Sequence, residues 1–286
     1  MLPEIIAIFS AMGWAGDSVL VRLGTRRSNI FAAMLVSFFV SAGCVWIYLL
    51  SFSSLDFLES PAMIYFVISG CLQPLFARAL YYEGLTRIGV SRAGPLRGSE
   101  PLFAVAIAVI FLHERPSLLV YAGTVLIVAS VWVISWQRRG QSNWRLIDVT
   151  FPLGAALVSA ISQTLRKRGL NILPDPFVAT ATVTTTSLFL LAGFLLVTKR
   201  TSLIRTDRQS LLFFVSAAFV AVSAQILNFV AIGRGELSSI IPLLNTTPLF
   251  TVVFSALFLR AVERLNTRII LGAVLMVAGV VLITTR

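Results

Sequence analysis

Apolar residues run through this chain in stretches of about twenty, separated by short breaks that hold most of its charged, glycine and proline residues. Cutting at those breaks predicts helices over 2–21, 30–51, 62–82, 90–112 and 117–136. After a polar link, further helices are predicted over 149–165, 177–197, 210–232, 237–259 and 267–285. A helix rises about 1.5 Å per residue, so about twenty residues cross a hydrocarbon core of roughly 30 Å. The pattern therefore predicts an all-α integral membrane protein of about ten transmembrane helices, with the first run retained as a helix rather than cleaved as a signal.

The second set of helices repeats the first. Pro95-Leu96 and Pro101-Leu102-Phe103 align with Pro242-Leu243 and Pro248-Leu249-Phe250 at one constant offset. After an insertion at Arg260-Ala261, Glu114-Arg115 meets Glu263-Arg264 and Gly123 meets Gly272. Shared hydrophobicity supplies leucines and valines by chance, but not two prolines, a Glu-Arg pair and a glycine in order. The expected organisation is a first repeat over 1–136, a polar linker over 137–148 and a second repeat over 149–286. Each unit has an odd number of helices, so the second enters the membrane from the opposite side, an inverted repeat of the kind that builds transporters and channels.

Composition narrows the function. Hydrophobic residues make up 57% of the chain and charged residues 12%, against about a quarter charged in soluble domains. The net charge of +11 is spread through the breaks rather than gathered on one face, which speaks for membrane topology and against a nucleic-acid partner. Cys44 and Cys71 sit alone in separate apolar runs and read as small buried hydrophobes. With one histidine, His113, no HExxH and no GxxxxGK[ST], the sequence predicts no metal, no cofactor, no enzyme and no direct use of ATP.

Proline-broken fourth and ninth helices, a Glu just after each, and a glycine in the last helix of each half resemble the EamA-type branch of the drug/metabolite transporter superfamily, over nearly the whole chain. That resemblance implies a ten-helix fold around a central cavity and a secondary carrier in the cell membrane that works by alternating access, with export favoured. It implies substrates ranging over amino acids, other metabolites and drugs. Where the family has Gly-Glu, this chain has His113-Glu114 and Val262-Glu263.

Orientation stays open. Loops after odd-numbered helices hold about fifteen Lys and Arg, among them Arg22, Arg26, Arg27, Arg138, Arg139, Arg260 and Arg264, against about six opposite, which places both termini outside. The resembled family commonly has both termini in the cytoplasm, and the Arg166-Lys167-Arg168 cluster also opposes the count.

An ionised group at mid-membrane costs about 2.5–3.5 kcal/mol even on lenient scales, so such groups face a cavity or a partner. Asp17 lies one turn from Trp14 on the same face, suited to a proton or a cationic group, or else pairs with Arg22. Arg78 interrupts the third helix, and Arg97 and Glu100 stand three apart in the fourth. Gly94, Pro95 and Pro101 flank that pair, and Pro242 and Pro248 flank Asn245 in the ninth, so both stretches are expected to break and offer carbonyls to a cavity. The expected substrate is a small amino-acid-like metabolite: Arg97 or Arg78 takes its carboxylate, while Glu100 or Asp17 takes its ammonium or a coupling proton. The opposing reading is an internal ion pair that never touches substrate. Gln73, Gln163, Gln225 and Asn228 either line the cavity or act as interhelical glue. Multidrug or organic-cation efflux is the runner-up, with a channel or a membrane scaffold behind it. Besides substrate, lipid is the only partner implied, and the oligomeric state is not readable.

Overall fold

Inside a bilayer the backbone has only itself to hydrogen-bond with, and the chain meets that demand with helices throughout. In a computed structural model, residues 2–88, 90–135, 145–258 and 267–285 are described. The first half consists of α1 (Leu2–Gly24), α2 (Ile30–Phe52), α3 (Ala62–Gly70), α4 (Ala77–Ile88), α5 (Val90–Arg97), α6 (Glu100–Phe111) and α7 (Leu118–Ser135). The second consists of α8 (Thr150–Ile172), α9 (Pro176–Val197), α10 (Arg208–Arg234), α11 (Leu237–Leu244), α12 (Thr247–Phe258) and α13 (Thr267–Thr284). Among the described residues, seven helical stretches are long and apolar enough to cross a membrane, joined by shorter apolar helices within α6, α7 and α13. Three spans are composite, α3–α4 forming span 3, α5–α6 span 4 and α11–α12 span 9; α1, α2, α7, α8, α9, α10 and α13 are spans 1, 2, 5, 6, 7, 8 and 10.

Helix starts are marked chemically. Asn29 accepts from the amides of Phe31 and Ala32, Asp175 from Phe177 and Val178, and Asp207 from Gln209 and Ser210, each filling orphan donors of the helix that follows.

Packing inverts the rule for soluble proteins. Ala7, Ala11 and Ala15 are buried on α1, and α1 packs closely on α10 where Ser10 and Gly13 meet Ala224, while Phe9, Phe39, Ile47, Ile110, Phe189 and Leu212 point outward, largely exposed. Lipid solvates large apolar side chains as well as the core does, so close helix approach through small residues sets the interior. At the crossing of α7 and α13, a Cβ on Gly123 would lie 2.7 Å from the Gly279 carbonyl, and one on Gly279 the same distance from the Gly123 carbonyl.

The contact pattern is exchange-symmetric. Span 1 packs on span 8 as span 6 packs on span 3, span 2 meets span 8 as span 7 meets span 3, and span 1 meets span 9 as span 6 meets span 4. Spans 2 and 7, 4 and 9, and 5 and 10 pack on each other across the middle. Even single contacts recur: Gly24 gives way to the ring of Phe214 and Gly169 to that of Phe66. Each half thus buries its inner face against the other.

Two predicted spans change. Span 3 runs on to Ile88 and is not continuous: a π-helical segment, Cys71–Phe76, separates α3 from α4, with Gln73 at φ −137°, ψ 129° and a cis bond to Pro74. Pro74 marks this break in the sequence, because proline removes the donor a regular helix needs. Span 6 ends at Ile172 rather than 165, so Arg166, Lys167 and Arg168 belong to a helix and not to a loop. Residues 137–144 of the linker, Arg138, Arg139, Arg260, Arg264 and the Val262-Glu263 pair lie outside the described residues.

Candidate substrate site

Spans 4 and 9 break at matching places. Between α5 and α6 stand Gly98 and Ser99, and between α11 and α12 stand Asn245 and Thr246, each followed by a helix with proline at its second position, Pro101 or Pro248. Gly94 and Pro95 lie within α5 and Pro242 within α11. The breaks are tight turns rather than unwound stretches. Ser99 N–H donates to Leu96, Leu102 to Ser99, Thr246 to Leu243 and Leu249 to Thr246. The hydroxyls of Thr246 and Thr247 and the amide of Asn245 cover the carbonyls of Leu243, Leu244 and Ile241. The carbonyls of Ile241, Leu243 and Leu244 in span 9 thus have partners within their own span, because i to i+3 bonds and short polar side chains reach them first.

A charged pair sits at the first break. Arg97 Nη1 donates to Glu100 Oε2 at 2.7 Å and Nη2 to Ser159 Oγ at 2.8 Å, tying span 4 to span 6. Asp17 on span 1 lies within electrostatic reach of Arg78 on span 3, but no hydrogen bond or ion pair joins them, and among the described residues Arg78 makes none with any other group. Both are half-buried, as is Trp14, whose carbonyl accepts from Ser18. Arg78 rather than Arg22 is the counter-charge facing Asp17.

Arg166 was missed as an interior residue because it sits in a run of three cations that reads as a loop. It is only 4% exposed, with Nε donating to Ser69 Oγ at 2.8 Å, Nη1 to Gln163 Oε1 at 3.3 Å, and its guanidinium 5.4 Å from the centre of the Phe229 ring. The signal available was its heptad-like step from Ser159 and Gln163 along one helix face. Gln225 and Asn228 are buried on α10, and Gln225 Nε2, Asn228 Oδ1 and Gln73 Oε1 have no hydrogen-bond partner among the described residues. Asn245 is half-buried and bonded to its own helix, apart from the charges.

The end of the bundle near residues 111–117 and 234–237 is laced shut. Glu114 accepts from the amides of Leu237 and Ser238 at 2.8 and 2.9 Å, capping α11 in the other half. Lys167 donates to the carbonyls of Ile232, Gly233 and Gly235, and Arg168 to Phe111. His113, at φ 56°, occupies the left-handed position after α6 where the resembled family has glycine, which explains the family's preference. A cavity of about 670 Å³ lies away from all these groups, in an apolar groove lined by residues such as Leu102, Val125, Trp132 and Leu271.

Comparisons with known proteins agree with this architecture. An uncharacterized transporter of Archaeoglobus fulgidus is 24% identical across 99% of this chain and 98% of its own length. An uncharacterized protein of Methanocaldococcus jannaschii is 31% identical over 30% of this chain and 61% of its own. A crystal structure superposes with a TM-score of 0.82 at 14% identity, covering 99% of this chain and 96% of that one, which shows a shared fold. The model of the EamA-like transporter family matches twice, over residues 1–136 and again over 147–285, and the chain accordingly belongs to that family of membrane transporters.

Proposed function

We propose that this transporter is a secondary-active carrier of a small amino-acid-like metabolite, working by alternating access in the cell membrane, with the Asp17–Arg78 gap as the place where substrate binds. One observation carries this: Arg78 presents a half-buried guanidinium, unspent among the described residues, within electrostatic reach of the Asp17 carboxylate but not bonded to it. A cation held in a membrane interior without a bonded partner is costly unless a ligand completes it. A zwitterion fits such a gap, carboxylate to Arg78 and ammonium to Asp17. Arg97 and Glu100 satisfy each other, which removes them from first contact and leaves them to order spans 4 and 6. Asp17 is then the candidate for a coupling proton, and export follows the resemblance to the family.

The second reading, organic-cation efflux, draws support from the same sequestration of Arg97, since it leaves Asp17 as the acid free to meet a cation. Purified protein in liposomes separates the two. The carrier reading expects saturable flux of pooled labelled amino acids, responsive to a pH gradient and lost in Arg78→Gln. Flux of organic cations alone, surviving Arg78→Gln and lost in Asp17→Asn, rejects it in favour of efflux.

A further inference from the structure

Arg166 is the most deeply buried cation among the described residues that the proposed gap does not use. Asp17, Arg78 and Arg97 are half-buried, whereas Arg166, its hydrogen-bond partner Gln163, and Asn228 of α10 are shielded almost completely. Two of its nitrogens are held by neutral groups, Ser69 and Gln163, and its third, Nη2, has no hydrogen bond among the described residues. No carboxylate there lies within ion-pair distance of it; Glu100 acts on it only through space and is already paired with Arg97. Arg97, Glu100 and Arg166 together carry an excess positive charge in the middle of a membrane protein. Removing an unpaired charge from water is what such interiors avoid, so an anion is the missing member.

Unpartnered buried amides on α10 and span 3 describe that anion further. Gln225 stands one turn before Phe229, whose ring carries the Arg166 guanidinium, so both face the same corner of α10. Gln225 Nε2 is a buried donor without an acceptor, and Gln73 Oε1 and Asn228 Oδ1 are buried acceptors without donors. A halide would satisfy the cation and the donor but leave both acceptors empty. A small carboxylate that also bears N–H or O–H groups satisfies all of them.

We propose that Arg166 and Gln225 form an inner station that receives the carboxylate of an amino- or hydroxy-carboxylate substrate, while Gln73 and Asn228 accept its N–H or O–H groups. This rests on the carrier reading and adds a second stop: substrate enters at Asp17–Arg78 and moves inward to Arg166. The end beyond Arg166, closed by Glu114, Lys167 and Arg168, has to open before release.

Equilibrium binding to the purified protein tests it, using the pooled labelled amino acids as one probe and labelled chloride as the other. Gln225→Leu removes one neutral donor and Arg166→Lys keeps the charge but loses the fork. Each is expected to weaken amino-acid binding roughly tenfold, the loss of one hydrogen bond to a charged group. Gln225→Leu keeps the test decisive should Arg166→Lys fail to fold. Amino-acid affinity within twofold of wild type in folded Gln225→Leu overturns the inner station while leaving the carrier reading intact. Saturable chloride binding that Arg166→Lys abolishes, with amino-acid binding unchanged, overturns it as well, since the anion is then inorganic. Wild-type protein that binds no amino acid overturns the carrier reading and the station with it.

Discussion

The breaks in spans 4 and 9 have one backbone and two chemistries. In both, a two-residue turn precedes a helix with proline at its second position. In span 9, Asn245, Thr246 and Thr247 turn their polar atoms back onto carbonyls of the same span, and the break is closed on itself. In span 4 the corresponding neighbourhood carries Arg97 and Glu100, and Arg97 reaches across to Ser159 in the second half. The comparison teaches that the turn does not require charge. Charge at one copy serves something else, namely linking spans and setting the field of the interior.

Removing that charge is expected to have the largest effect. Glu100→Gln leaves Arg97 without its paired carboxylate and should cost roughly 3–5 kcal/mol of stability, the range for breaking a buried pair. Thermal unfolding in detergent measures it, and the double variant Arg97→Gln with Glu100→Gln should recover part of the loss. If that double variant also transports normally with unchanged pH dependence, the charged break has no part in substrate handling.

Next comes Arg78→Gln, which removes the unspent cation beside the break. Flux at low substrate should fall about ten- to a hundredfold, the worth of one or two charge-assisted hydrogen bonds, with little change in unfolding temperature. A loss of stability as large as that of Glu100→Gln would make Arg78 structural.

The neutral break should respond weakly. Thr246→Val deletes a buried hydroxyl that only caps its own helix and should cost about 1 kcal/mol with flux unaltered. Impaired flux in a stable Thr246→Val protein would make the two breaks functionally alike.

The smallest effect lies outside the membrane. Hydrogen bonding with the Ser210 side chain, and then with the amides of Ser210 and Gln209, holds the Asp207 carboxyl below its ordinary value of 3.8. A folded value below the unfolded one stabilises fully above 3.8 and loses that contribution as pH falls through the lowered value. Asp207→Asn keeps the cap and should remove this carboxyl's share of the acid-linked loss, read as a shallower fall in unfolding temperature below pH 4 than in wild type; an unchanged acid profile would assign the sensitivity to another group.

The sequence by itself determined the spans, the duplication and the positions of two of the breaks. Those features are local: run length against bilayer thickness, proline against the helix ladder, and one register of matched residues. It also placed Arg97 and Glu100 on one face, because three residues along a helix always are. The tertiary structure alone decided which charges are spent. Whether Arg97 pairs with Glu100 or stays free, whether Glu114 binds a cation or the amides of α11, and whether Arg166 lies in a loop or the interior all depend on packing between spans distant in sequence. The break in span 3 was not expected, since the run over 62–82 reads as one helix, and the structure alone shows the π-helical segment at Pro74 and its packing on α8 and α9. Periodicity fixes which side of a helix a residue occupies, but a charge acquires its role from its partner, and here the partners come from the other half of the chain.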